Sequence, residues 1–396
     1  MITHAYISRF KSVAEAHLDL NPVNLLVGRN ANGKSNVVDA LYFVHDCISE
    51  DLDTAIVKRH GIESIRQWSK TKPYYITIEL HVLNDEGRGR YKFVLSSGRG
   101  TYRVAEEEGE FTGPDRFARD DDAEPRTTTF KRTADGKVEM STNPDNIGHH
   151  GTDFLLGPTE LFSTSLAGPH FSILNLALRP LVEDLRSFIS YSIYPNTLRE
   201  PRVVSREDRL LADGSNLPSI LRLIGSHKRS KDSLIESLRL IMPNLADVTT
   251  RSAGGYYVPV IQVKESSGEA HIFNMSQVSD GTLRVLGLLA AFYQPNAPGI
   301  IALEEPEQMI HPGVLPILAD AAKEFVTDIG DPYRQVFITT HSPSLLDLFD
   351  PESIIWTKQH DGITKCGPIT ARQLGIIKKQ LFTAGELFVN EGFSEN

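Results

Sequence analysis

The chain has 396 residues, 40% hydrophobic and 23% charged, the balance of a globular protein with a full core in one large or two modest domains. It contains no apolar run of about 18 residues, which excludes a membrane-spanning helix. The start MITHAYISRFKS lacks the apolar stretch of a secretory signal, so the expected location is the cytoplasm. The net charge of −10 weighs against tight, non-specific DNA binding, where phosphate neutralisation dominates, but leaves room for a local basic groove.

Ile2–Leu20 reads as two short strands, and the predominantly apolar run Val23–Val27 (VNLLV) as a strand buried on both faces. A Gly-rich turn follows, then a helix over Gly33–Asp46 with Val37, Val38, Leu41 and Val44 on one face. Cys47 and Cys366 are expected as buried thiols rather than a disulfide. Tyr74–Val104 alternates as antiparallel strands. Residues 105–150, with Glu106–Glu110 (EEEGE) and Asp120–Asp122, read as an exposed hairpin or mobile loop. Residues 170–245 are helical in pattern, interrupted by a loop carrying Arg199, Arg202, Arg206 and Arg209. Strands are expected at Tyr256–Val263 and His271–Phe273, then a helix over Gly281–Tyr293. A strand over Gly299–Leu303, a helix over Val314–Phe325 and a strand over Gln335–Thr340 follow. A short helix over Ser344–Phe349 and a last core strand over Ser353–Trp356 complete the series. Alternation of strand and helix in both terminal thirds points to an α/β fold with a parallel sheet.

Gly28-Arg-Asn-Ala-Asn-Gly33-Lys34-Ser35 fits G-x-x-x-x-G-K-[ST] between a buried strand and a helix, the context that motif requires. Its glycines let backbone N–H groups curl around an anion, and the helix start adds partial positive charge. Lys34 is placed to reach the β- and γ-phosphates of a nucleotide, and the Ser35 hydroxyl to ligate Mg²⁺. Gly299–Leu303 ends in adjacent carboxylates, Glu304 toward the magnesium shell and Glu305 toward an attacking water. His341, ending the strand Gln335–Thr340, suits a hydrogen bond to a γ-phosphate. Ser279 as N-cap with Gly281 in the first turn makes a second anion-binding helix start.

Taken together, FKS at Phe10–Ser12, GRNANGKSNVVDAL, SDGTLR, LEEPEQMIHP and TTHSPSLLD resemble the SMC/RecF/OLD branch of ABC ATPases. More narrowly they resemble stand-alone prokaryotic ATPases, many of whose relatives sit in anti-phage defence loci. The resemblance covers residues 1–70 and 275–360, with one further phrase, LADGSNLPSIL at Leu211–Leu221. It implies an ABC-type P-loop ATPase head with an antiparallel β lobe and a helical insertion. The two halves of the head would be residues 1–150, which include the β lobe, and 256–396, with the insertion at 151–255. It implies ATP and Mg²⁺ as cofactors, with Asn30, Ala31, Asn32, Gly33, Lys34, Ser35 and Asn36 around the nucleotide and Ser35 and Glu304 at the metal. Many such ATPases carry Asp where this chain has Glu304, one methylene longer, so direct and water-mediated metal contact both stay open. Glu305 would be the catalytic glutamate and His341 the switch histidine, while His311 falls at the D-loop. Ser279 and Gly281 would contact ATP bound by the opposite subunit of a homodimer, although SDGT departs from the commoner SGGE-like form. Gln67 in SIRQW is the Q-loop candidate, with a plain surface glutamine as the equal alternative. About forty residues follow the His341 helix, too few for an OLD-type nuclease domain of ordinary size. The implied function is an ATP-driven dimeric switch that senses or clamps nucleic acid and controls a separately encoded effector. The alternative is an ATP-dependent scaffold or RecF-like repair factor with slow hydrolysis.

Overall fold

The computed structural model describes residues 1–67, 75–98, 100–114, 124–142, 150–166, 173–203, 206–265, 269–328 and 330–393. The chain divides into two compact units. The first is Met1–Phe188 with Glu352–Ala371 and Phe393–Asn396; the second is Ile189–Pro351 with Arg372–Gly392.

The first nine strands are β1 (Ile2–Phe10), β2 (Val13–Asp19), β3 (Val23–Val27), β4 (Tyr75–Asn84), β5 (Gly87–Ser97), β6 (Tyr102–Gly113), β7 (Arg126–Arg132), β8 (Lys137–Thr142) and β9 (His150–Leu155). The next five are β10 (Phe188–Tyr191), β11 (Arg202–Val203), β12 (Leu245–Ala253), β13 (Tyr256–Lys264) and β14 (Ala270–Asn274). The last four are β15 (Ile300–Glu304), β16 (Gln335–Thr340), β17 (Ile354–His360) and β18 (Ile363–Pro368). In the first unit the sheet runs β3-β17-β18-β2-β1-β4-β5-β6-β7-β8-β9. Its β3–β17 and β18–β2 pairs are parallel, and its pairs from β2 onward antiparallel. β3 is buried almost throughout, Asn24 included, whose side-chain amide is satisfied by the backbone of Asn21. The helix Lys34–Ser49 buries Val37, Val38, Leu41 and Val44, the face expected from their spacing.

In the second unit β10, β15 and β16 form one sheet, with β15 and β16 parallel and Glu304 opposite Thr339. A smaller sheet is built on β13, which pairs antiparallel with β11, β12 and β14. Helices Leu217–Ser226 and Lys228–Arg239 occupy the stretch expected to be helical, with β10, β11 and β12 beside them in the chain.

Two expectations are corrected. Of residues 105–150, expected as an exposed hairpin or mobile loop, the described ones are sheet: β6 extends to Gly113, and β7, β8 and β9 follow it in antiparallel pairs; Asp120–Asp122 lie outside the described residues. The three consecutive glutamates of β6, Glu106–Glu108, obey the period of two. Glu106 and Glu108 pair with Lys92, Lys131 and Arg90 on one face, while Glu107 on the other is fully buried. There Glu107 accepts from the amides of Phe162 at 2.7 Å and Ser163 at 2.9 Å and from the Tyr91 hydroxyl at 3.1 Å. Nor does the core sheet end with Ser353–Trp356: β17 runs to His360 and turns into β18. The turn is Asp361-Gly362, with φ of 51° and 78°, the left-handed pair that a two-residue hairpin takes.

Candidate functional site

The phosphate-loop residues lie in the first unit, between β3 and the helix Lys34–Ser49. Asn30, Ala31 and Ser35 are exposed, Asn32, Gly33 and Asn36 half-buried, and Lys34 is buried. Two glycines set the loop's shape. A Cβ at Gly28 would lie 2.5 Å from the Thr357 carbonyl and hydroxyl oxygens; one at Gly33, where φ is 85°, would lie 2.1 Å from Thr364 Oγ1. Both positions admit only a hydrogen, and the resulting close approach of backbone is what an anion cradle needs. Ala31 also has positive φ, 64°. The Lys34 ammonium folds back over the loop, donating to the carbonyls of Gly28 at 2.9 Å and Arg29 at 3.3 Å.

Behind the loop stand partners that the motif does not announce. Asn32 Nδ2 donates to the Thr357 carbonyl at 3.1 Å, and the Thr364 hydroxyl to the Asn32 carbonyl at 3.3 Å. Ser12, from the FKS turn, shares a hydrogen bond with Thr364 Oγ1 at 2.7 Å and accepts from Asn36 Nδ2 at 2.6 Å. Lys11 pairs with Asp39 at 2.8 Å; Arg59 bridges Asp39 and Asp46 at 2.8 and 2.7 Å, fixing one side of the helix. Gln67 is half-buried, and its amide donates to the Arg9 carbonyl at 3.0 Å. It is therefore held at the end of β1, two residues from Lys11.

The acidic turn and His341 lie in the second unit. Glu304 is half-buried at the end of β15. Glu305 has φ of 40°, a left-handed backbone uncommon for a residue with a Cβ. Its amide donates to both the carbonyl and the hydroxyl of Thr339, at 3.0 and 3.2 Å, and its carboxylate accepts from Gln308 Nε2. His341 Nδ1 stands 3.5 Å from Glu305 Oε1 and 3.6 Å from Glu307 Oε1. Glu307 also accepts from the Thr340 hydroxyl at 2.6 Å and the His341 amide at 3.0 Å, so it clamps the strand end that carries the histidine.

Ser279 caps the helix Asp280–Tyr293, accepting from the Thr282 amide at 3.3 Å. Asp280 pairs with Arg199, which also donates to the Val278 carbonyl at 3.0 Å. A Cβ at Gly281 would lie 2.8 Å from the Met309 carbonyl oxygen, so this helix start abuts the acidic turn. Arg284, 3% exposed, donates to the carbonyls of Ile193 at 2.7 Å and Glu305 at 3.1 Å. Burial pushes its guanidinium pKa down, against the opposing pull of Tyr194, Glu307 and Glu305. His311 caps its own short turn, accepting from the Gly313 amide at 3.1 Å. The second unit thus brings Glu305 and His341 together, and Gly281 to the loop that follows Glu305. Arg284 and Glu307 escaped the sequence reading. Their one signal was nearness to SDGT and to EEP.

Residues 23–347 match a family model described as "AAA domain, putative AbiEii toxin, Type IV TA system". The chain belongs to this AAA family. Two curated relatives of this AAA protein, RecF DNA replication and repair proteins from two strains of Porphyromonas gingivalis, are each 43% identical over 65 residues. That stretch is 16% of this chain and 18% of theirs, so the match spans less than a fifth of those relatives. An SMC head solved with the C-winged helix domain of ScpA is similar in structure, with a TM-score of 0.54 at 14% identity over 96% of this chain and 99% of that one. An SMC head with an extended coiled coil, bound to the C-terminal domain of ScpA derived from Pyrococcus furiosus, gives 0.51 at 11% identity over the same shares. At such identities the likeness is one of fold: the α/β architecture of the AAA protein is that of an SMC head.

Proposed function

We propose that this AAA protein binds ATP with Mg²⁺ and hydrolyses it, acting as a homodimeric switch. The observation that carries this is the loop Gly28–Ser35, where two glycine positions admit no Cβ and a buried lysine curls over the turn. Asn30 to Asn36 wrap the phosphates, with Lys34 supplying the positive charge. The exposed Ser35 hydroxyl and the half-buried Glu304 are hard oxygen donors of the kind Mg²⁺ takes, one or two from protein and the rest from water and phosphate. An ion held by these residues would supply neutralisation of the phosphate charge. Glu305 accepts the proton of the attacking water, and His341 donates a hydrogen bond to the γ-phosphate. Gln67 serves as the Q-loop residue.

Ser279 and Gly281 contact ATP held by the partner subunit, which makes dimerisation ATP-dependent. The bound ScpA domains named for the two SMC heads support a partner protein, here a separately encoded effector. Control of that effector in anti-phage defence, in the cytoplasm, is the role this reading favours. Among the described residues no helix is long and apolar enough to cross a membrane. The RecF-like stretch supports a second reading, a DNA repair factor or scaffold with slow hydrolysis.

One experiment tests the proposal: ATP binding, phosphate release and light-scattering mass for three variants. Lys34→Ala should lose ATP binding. Glu305→Gln should keep it, stop turnover and accumulate dimer with ATP, and Ser279→Arg added to Glu305→Gln should remove that dimer. Unchanged hydrolysis in Glu305→Gln would sink the assignment of the base, and a strict monomer under all conditions would sink the dimer.

A further inference from the structure

The strongest unexplained feature is the guanidinium of Arg284. It lies in the second turn of the helix Asp280–Tyr293, yet it is 3% exposed and makes no ion pair among the described residues. Burying a charge is costly unless its hydrogen-bonding capacity is used. Here that capacity goes to two main-chain carbonyls, Ile193 at 2.7 Å and Glu305 at 3.1 Å, with the Tyr194 ring 5.4 Å away and Nε lacking a hydrogen-bond partner. A buried cation spent on carbonyls needs a reason, and the second carbonyl supplies one. It belongs to a residue whose φ is 40°, a conformation that persists only where surroundings over-determine it. The Glu305 peptide is held at both ends, its amide by Thr339 and its carbonyl by Arg284.

We infer that Arg284 is a positioning residue for hydrolysis: by fixing the Glu305 carbonyl it holds the left-handed backbone that aims the Glu305 carboxylate. This rests on the reading of Glu305 as the base. Geometry explains why the residue is arginine. The rigid guanidinium fork presents one nitrogen to each carbonyl, at a fixed separation; the lysine ammonium carries its three donors on a single atom at the end of a flexible stem. Gly281, three residues earlier on the same helix, abuts Met309 on the other flank of the turn, so the helix start supports the acidic turn from two sides.

The test uses the full chain and four variants: Arg284→Lys, Arg284→Met, Glu305→Gln, and Arg284→Met combined with Glu305→Gln. ATP affinity, kcat and melting temperature are measured for each. Misplacement of a reacting group by 1 Å costs on the order of 100-fold, so kcat should fall by roughly that factor in Arg284→Met, with ATP affinity held within about threefold. Arg284→Lys should recover part of kcat. In the residual single-turnover rate that Glu305→Gln retains, the methionine should cause no further loss, because a positioning residue acts through the group it positions. A lowered melting temperature with kcat per folded molecule unchanged would make Arg284 purely structural and overturn the inference. An equal drop in kcat from the methionine with and without Glu305 would overturn it too. Full turnover in Glu305→Gln alone would instead remove the base assignment, a separate failure. Should Arg284→Met not fold, Arg284→Lys alone decides, since a kcat equal to wild type there refutes the claim.

Discussion

Replacing Gly33 by alanine puts a number on the phosphate loop. The added methyl meets two costs. At φ 85° a residue with a Cβ gives up about 1–2 kcal/mol to left-handed strain. Its Cβ would also lie 2.1 Å from Thr364 Oγ1 and 2.8 Å from Thr364 Cγ2, an overlap costing about 1–3 kcal/mol to relieve. Together these are about 2–5 kcal/mol. If the loop takes the strain, ATP binds roughly 30-fold to several thousand-fold more weakly. Titration calorimetry with Mg-ATP measures the loss, and melting curves show whether the rest of the chain shares it. The double variant Gly33→Ala, Thr364→Ala removes the two closest contacts and leaves the strain, so it should regain the overlap portion. Thr364→Ala alone gives up the hydrogen bond to the Asn32 carbonyl, worth about 0.5–1.5 kcal/mol. ATP affinity within twofold of wild type in Gly33→Ala would refute the argument, as would a double variant no better than the single one.

Two further outcomes are expected. Glu107→Ala leaves the buried amides of Phe162 and Ser163 without their acceptor and should cost about 2–6 kcal/mol, or roughly 4–24 °C in melting temperature for a unit of 150–250 residues. Burial also holds the Glu107 carboxyl above its ordinary range, so its stabilising share is complete below the unfolded-state pKa and fades as pH rises through the raised value. A melting-temperature profile as steep in Glu107→Ala as in wild type would contradict this. Nucleic-acid contact predicts that Glu305→Gln with ATP binds DNA with a steep loss across a salt series, and that changing Arg202, Arg206, Lys228 and Arg229 to Glu abolishes it. Arg199, Arg202, Arg229 and Lys231 pair with Asp280, Glu200, Asp328 and Asp247; Arg206, Arg209 and Lys228 have no ion pair among the described residues. Absence of binding at low salt would assign these cations to protein contacts.

The elements that carry the motifs were legible because their signals are local. β3 and the helix after it follow from an apolar run, a Gly-rich turn and a 3.6-residue period, and β16 starts and stops where its sequence indicates. What was missed depends on pairing between distant strands. Asp361-Gly362 is a strong hairpin signal, but β18 reads as a strand only once β17 and β2 flank it, and Thr364 matters only because β18 lies beneath the loop. In EEEGE, charge hid the alternation: three acids in a row look solvated until the sheet assigns the middle one to the interior. Sequence places Arg284 only on a capped helix, since nothing local says that its acceptors are carbonyls at Ile193 and Glu305.

The contact between Gly281 and Met309 is backbone against backbone. Side chains in a chain of contacts can absorb a displacement by changing rotamer, and each such change dissipates part of the signal. Here the space a Cβ of Gly281 would take is filled by the Met309 carbonyl oxygen, so main chain faces main chain. A displacement of the helix start at Gly281 and one of the acidic turn at Met309 therefore meet without a side chain between them. The junction works as a rigid bearing whose tolerance is the missing methyl of one glycine.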